Sequence, residues 1–213
     1  MCASDVDEVA LESEARDRYG DLGPGDVALL LARAKAEAVA SEVGGDHLVL
    51  GCDSVLELDG RIHGKPADAA EATARWRTMR GRSGVLHTGH WLIDDRAEGS
   101  GGTLGATAET VVHFADLADD EIEAYVATGE PLRVAGAFTI DGLGAPFVSA
   151  IEGDHTNVVG LSLPLLRELL RDIGLRWSDL TAAGGDVRPA ESREPRSPTS
   201  PAPWRPVSTA CRS

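Results

Sequence analysis

Between Asp26 and Val43 apolar side chains recur at three- and four-residue steps. Val27, Leu30, Leu31, Ala34 and Ala38 share one face of a helix, and Asp26 is placed to cap its start. The period then changes. His47–Leu58 (HLVLGCDSVLEL) reads as a strand, Asp59-Gly60 as a tight turn, and Arg61–His63 as a short return strand. Asp68 and Glu71 stand at capping-box spacing at the head of a helix that ends near Gly81. Strands are predicted over 84–94 and 104–114, joined by a hairpin loop at Ala97–Gly102 (AEGSGG). Asp119-Asp120 opens a helix to Thr128 that Gly129 and Pro131 stop. Two short strands are predicted near 134–140 and 146–151. A last helix follows Ser162, turns Leu163, Leu166, Leu169, Leu170 and Ile173 inward, and ends at Gly174. Helices and strands in this order predict one α/β domain over residues 1–180.

From residue 181 the patterning stops. Residues 181–213 hold six of the eleven prolines, five serines and five arginines, and read as a disordered tail. A phosphate- or partner-binding arm is the minority reading of that segment. Apolar residues make up 42% of the 213, enough for a core. No apolar run approaches the roughly 18 residues of a membrane span, and no secretory leader is expected. Cys2, Cys52 and Cys211 lie far apart, forming neither a disulfide framework nor a CxxC knuckle, which fits a reducing cytoplasm. The net charge of −15 argues against a nucleic-acid polymer as partner, because phosphate contacts need a basic face. A small phosphorylated ligand needs only a few local cations. Only two of the 20 basic residues are lysines, Lys35 and Lys65.

Asp53 closes an apolar run, Leu48-Val49-Leu50-Gly51-Cys52, which predicts a carboxylate at the end of a buried central strand. Such a group needs a cation or hydrogen bonds, and ligands of open α/β sheets collect at strand ends. A turn-capping Asp is the plainer alternative. Lys65, in Gly64-Lys65-Pro66, is either an ordinary surface lysine or a cation held in a defined place by its neighbours. Lys35 sits at the edge of the helical stripe, and either snorkels to water or points into a cleft. Together one acid and two inward-leaning cations would suit a metal-bound polyphosphate. There is no P-loop, no HExxH spacing and no GxSxG elbow around Ser54. His87 and His90 fall on opposite faces of one strand, and Trp76 and Met79 read as core.

An ordered set of short motifs carries a family resemblance. Ala34-Lys35-Ala36, Leu50-Gly51-Cys52-Asp53-Ser54-Val55, Asp59-Gly60 and Gly64-Lys65-Pro66 come first. Thr88-Gly89, Glu121-Ile122, Tyr125-Val126, Thr128-Gly129-Glu130-Pro131, Ala135-Gly136-Ala137-Phe138, Gly153-Asp154 and Asn157-Val158-Val159-Gly160-Leu161 follow. Over residues 4–180 the chain resembles the Maf-like nucleotide pyrophosphatases, most closely their actinobacterial branch. The resemblance implies an α/β fold with a mixed twisted sheet flanked by helices and a central cleft, as in inosine-triphosphatase-like proteins. It implies hydrolysis of a nucleoside triphosphate, of a non-canonical kind among others, between the α and β phosphorus atoms. It also implies a divalent cation, Mg²⁺ or Mn²⁺. Carried over by residue, Asp53 matches the proton acceptor, Lys35 and Lys65 the phosphate-contacting lysines, and Glu8, with Asp53, the metal site. Ser54 and Asp141 match the positions that discriminate bases.

Family members also carry a strand, a Ser-x-Ser-x-x-Arg loop and a helix ahead of the segment matching Ser4–Glu8. These 213 residues begin without them, from which a late-assigned start, or else a truncated and weak enzyme, is expected. Asp141 stands where Gln is common; an ionised carboxylate only accepts hydrogen bonds, so it favours amino or imino donors on the base. The expected partner is a nucleoside triphosphate, with no membrane and a homodimer left open. The alternatives are an impaired nucleotide-binding or interaction protein linked to division control, and a related phosphatase releasing orthophosphate.

Overall fold

The computed structural model describes residues 6–182, and the tail read from 181 onward lies, past its first two residues, outside the described residues. The chain divides into a unit of residues 1–177 and a second of 178–213. In chain order the elements are α1 (Glu8–Tyr19), α2 (Pro24–Val43), β1 (Leu48–Leu58), β2 (Arg61–His63), α3 (Ala69–Met79), β3 (Ser83–Asp94), β4 (Thr103–Phe114) and α4 (Asp119–Ala127). After three short 3₁₀ turns come β5 (Val148–Gly153), α5 (His155–Val159), α6 (Leu163–Asp172) and α7 (Trp177–Ala182).

The sheet runs β2-β1-β3-β4-β5. The class is α/β as expected. All four described pairings are antiparallel, however, where the resemblance implies a mixed sheet. Hairpins make two of those neighbours: Asp59 and Gly60, with φ of 53° and 72°, form the tight turn from β1 into β2, and the longer 95–102 loop turns β3 into β4. Parallel neighbours would need a crossover instead. Because β2 pairs only with Leu56–Leu58, the stretch of β1 before it has β3 as its one described sheet partner. Among the described residues no strand pairs with its other edge.

Helix α2 lies on one face of β1 and β3 at unusually close range. A Cβ at Gly51 would overlap the Ala32 carbonyl, and one at Gly89 the Ala28 backbone. The buried stripe is therefore Val27, Ala28, Leu31, Ala32 and Ala36, rotated from the predicted one toward the small residues; Leu30, Ala34 and Ala38 are half-buried. Pro24 takes the first turn of α2 with Gly23 as N-cap, so Asp26 lies inside the helix and does not cap it. On the opposite face Trp76 is fully buried, edge-on to Phe114, Tyr125 and Phe147 at centroid distances of 5.7, 5.6 and 6.0 Å.

Three predictions fail locally. No strand forms at 134–140: Gly136 and Ala137 take φ of 69° and 64°, which breaks extension, and Gly136 N–H donates to the Gly64 carbonyl (3.1 Å). Leu163 starts α6 and is 40% exposed, so the inward set is Leu166, Leu169 and Leu170. Asp53 is the sixth residue of the eleven in β1 and lies within the strand, not at its end. Helices α1, α5 and α7 were not predicted.

Candidate active site

Strand alternation sets the site. Asp53 pairs with Gly89 and shares its face with α2; Ser54 pairs with Thr88 and faces the other way. Both sit on the stretch of β1 that has no second described strand partner, and both line two clefts. A cleft of about 260 Å³ lies against Ser54 and is walled by Leu86, Val134, Phe138, Val158 and Val159, with Arg133 and Asp141 also on its lining. A second, of about 520 Å³, is lined by Glu8, Glu12, Arg16 and Arg61. Asp53, Ser54, Lys65 and Ala135 line both.

The side chain of Asp53 is only 14% exposed, and that of Lys35, one helix away, 21%. Lys35 Nζ donates to Asp53 Oδ1 and lies 2.9 Å from Glu8 Oε1. Lys35 thus turns its charge toward two carboxylates that line the second cleft, while it is not itself on the lining of either cleft. Burial pushes the Asp53 carboxyl above its ordinary range; Lys35, and more weakly Lys65, pull it back, while Glu8 adds to the rise. Burial works against the Lys35 charge, but the hydrogen bonds to Asp53 and Glu8 outweigh it and raise its pKa. Burial also raises Glu12, with Arg16 opposing.

Lys65 is presented by a pinned loop. The Gly64 carbonyl accepts from Arg75 Nη1 (2.5 Å) and from Gly136 N–H, and Arg75 is braced by Glu71 (2.5 Å). Ser54 Oγ and Thr88 Oγ1 are 2.8 Å apart, and Thr88 donates onward to the Asn157 carbonyl (3.3 Å). The segment bearing Asp141 is gathered on one carboxylate: Glu130 accepts from Tyr125 Oη (2.9 Å), Thr139 Oγ1 (2.6 Å), Leu143 N–H (3.0 Å) and Gly144 N–H (3.0 Å). All six predicted residues therefore reach this edge of β1. Sequence reasoning missed Arg133, Arg16, Glu12 and the braces Arg75 and Glu130. The i,i+4 spacing of Glu71 and Arg75 gave a signal for Arg75, and Glu130 stood in the Thr128–Pro131 motif with no role assigned to it.

The histidines divide as expected. His90 is buried and accepts at Nε2 from Ser162 N–H (2.9 Å), so Nδ1 carries the proton toward the Thr88 carbonyl (3.0 Å). His87 faces Glu57 and Glu109 on the other side. Among the described residues no three His, Cys, Asp or Glu side chains cluster closely enough to hold a metal ion alone. The donors that fit a hard cation are Asp53 and Glu8, two carboxylates already converging on one positive charge. Mg²⁺ ordinarily takes one or two carboxylates and fills its sphere with water and phosphate oxygens, which suits this pair.

The Maf-like protein family model matches residues 1–173. The chain belongs to the Maf family. A Streptomyces coelicolor relative is 56% identical over 188 residues, 87% of this chain and 85% of its own length. One from Leifsonia xyli subsp. xyli is 51% identical over 85% of this chain and 86% of its own, and one from Nostoc punctiforme 48% over 83% and 84%. Each is named nucleoside triphosphate pyrophosphatase. Among the described residues no helix of this Maf protein is long and apolar enough to cross a membrane.

Proposed function

We propose that this protein hydrolyses a nucleoside triphosphate, non-canonical ones included, to the monophosphate and diphosphate, in the cytoplasm. We further assign the catalytic domain to residues 1–180, with 181–213 as an appendage. The observation that carries the reading is a buried carboxylate, Asp53, at the junction of two clefts, with Lys35 bonded to it and Lys65 beside both clefts.

The apolar walls around Phe138 suit a base, and Asp141 and Ser54 face its polar edge. The phosphates then run past Asp53 toward Lys65 and Arg16. Attack on a polyanion is limited by charge repulsion, so those cations lower the barrier by neutralising the chain. Asp53 orients the attacking water and accepts its proton. Lys35 keeps that carboxylate ionised in the resting site and presents its ammonium to the reacting phosphates. A divalent ion held by Asp53 and Glu8 would supply further charge neutralisation on the phosphate oxygens.

Product analysis tests the assignment. Phosphorus NMR should show diphosphate and monophosphate rising in equal amounts without orthophosphate. Asp53→Asn should abolish turnover and keep nucleotide binding. Orthophosphate as the first product would favour the phosphatase alternative, and binding without turnover by the wild type would favour the impaired-protein alternative.

A further inference from the structure

Lys35 is held by its carboxylate partners, Asp53 and Glu8. Lys65 is held differently. It is exposed, forms no ion pair among the described residues, and acts on Asp53 only weakly. The place of its ammonium is therefore set by the backbone between β2 and α3, and that backbone is clasped on both sides of Lys65. On one side the Gly64 carbonyl accepts from Arg75 Nη1 (2.5 Å). On the other the Ala67 N–H donates to Glu71 Oε2 (2.8 Å). Arg75 Nη2 donates to the remaining Glu71 oxygen, Oε1 (2.5 Å), which closes the ring. Only Lys65 and Pro66 lie between the two anchors, and the Pro66 ring fixes its own φ.

The clasp is rigid in its own right. The Arg75 side chain is 5% exposed, and a guanidinium is a planar fork whose two arms serve a carbonyl and a carboxylate at once. Glu71 N–H donates to Asp68, the N-cap of α3 (2.8 Å). The Ala67 N–H, and after it Arg75, hold the Glu71 carboxyl below its ordinary range against the effect of burial, so the pair stays ionised. Gly136 N–H donates to the same Gly64 carbonyl (3.1 Å), and Trp76 Nε1, next to Arg75 on α3, donates to the Ala137 carbonyl (2.8 Å). One helix thus carries the Lys65 loop and the turn beside it. We propose that Glu71 and Arg75 are positioning residues for the phosphates: a clasp on α3 that fixes where the Lys65 ammonium meets the polyphosphate. Neither residue lines either cleft, so their effect on the reaction runs through Lys65. The proposal rests on the reading of Lys65 as a phosphate-binding cation.

A double-mutant cycle separates this role from a merely structural one. Arg75→Met removes both arms of the fork. Its kcat/KM should fall about tenfold for whichever of ATP, GTP, CTP and UTP the wild type turns over fastest, the cost of misplacing one charged group. The Arg75→Met, Lys65→Met double variant should be no worse than Lys65→Met alone, because the clasp then has no charge left to place. Additive losses overturn the proposal, and so does wild-type activity in Lys65→Met. Glu71→Gln sets an amide donor against one of two donors, loses one anchor and should repeat the pattern, which keeps the test open if Arg75→Met fails to fold. A second readout needs no turnover. The chain has only two lysines, so ¹⁵N-lysine labelling gives two lysine amide signals, and Lys65→Met assigns them. Both should show order parameters of about 0.85 in the wild type; in Arg75→Met that of Lys65 should fall to about 0.6 or below while that of Lys35 holds. An unmoved Lys65 amide in the folded variant overturns the proposal. Absence of hydrolysis in the wild type would sink the catalytic reading alone; the cycle then runs on calorimetric dissociation constants of inorganic tripolyphosphate, with the same non-additivity expected.

Discussion

Lys35 reaches from α2 to the Asp53 carboxylate in the middle of β1, and its ammonium lies 2.9 Å from Glu8 Oε1. A carboxylate buried in a strand is tolerated because that cation is there. Lys35→Met should lower kcat about 100-fold, the order seen when one charge-stabilising donor is removed. It should also tighten Mn²⁺ binding in the absence of nucleotide, because Asp53 and Glu8 lose their internal counter-ion. Paramagnetic resonance titration of Mn²⁺ checks this; an affinity equal to or weaker than wild type would contradict the shared-cation geometry.

Gly51 lies under Ala32 with no room for a methyl group, and the obstacle is helix backbone, which cannot swing aside. Gly51→Ala should destabilise the protein by about 2 kcal/mol or more. Urea denaturation measures the loss. Activity should fall with it in the folded fraction, since the helix pushed away is the one that carries Lys35.

Asp94 is buried and accepts from Arg96 Nε (2.6 Å), Arg96 Nη2 (3.0 Å), Ser100 N–H (2.7 Å) and Ser100 Oγ (3.0 Å). The Arg96 hydrogen bond, against the opposing effect of burial and with help from Ser100, holds its carboxyl well below the ordinary 3.8. A depressed folded value means stability that is present above 3.8 and is lost as the pH falls below it toward the folded pKa. Asp94→Asn should cost about 2 kcal/mol at neutral pH. The gap to wild type should narrow as the pH drops below 3.8. Denaturant melts across that range decide it; a gap that widens in acid would reverse the sign.

Glu130 holds Thr139, Leu143 and Gly144, while the Leu143 side chain is 59% exposed, so hydrogen bonds and not apolar burial fix this segment. Glu130→Gln replaces one acceptor oxygen with a donor amide facing another donor. The KM for nucleotide should rise about tenfold with kcat nearly intact, because Thr139, which Glu130 holds, lines the cleft assigned to the base. Steady-state kinetics separates the two. A fall in kcat alone would place the role of Glu130 elsewhere.

The catalytic-looking centre was readable because its signals were local conflicts. Asp53 interrupts an apolar run and Lys35 sits at the rim of a helical stripe, and each conflict proves to be half of one ion pair. What escaped was set by tertiary packing. The stripe on α2 rotated because Gly51 and Gly89 let Ala28 and Ala32 approach the sheet, a fact no periodicity contains. Helix α1 (EVALESEARDRY) shows Ala15 as its buried residue and offers almost no apolar stripe to find. Val134–Ile140 reads as extended until Gly136 and Ala137 turn left-handed to meet the Gly64 carbonyl. Arg133 is one arginine among eighteen, and nothing in its neighbours marks it as a cleft residue.

Asp53 and Ser54 are adjacent along the chain yet look toward opposite sides of the sheet, at a margin that no described strand covers. Both nonetheless line each of the two clefts, together with Lys65 and Ala135. The two clefts therefore share one wall, and a substitution at any of these four residues alters both at once.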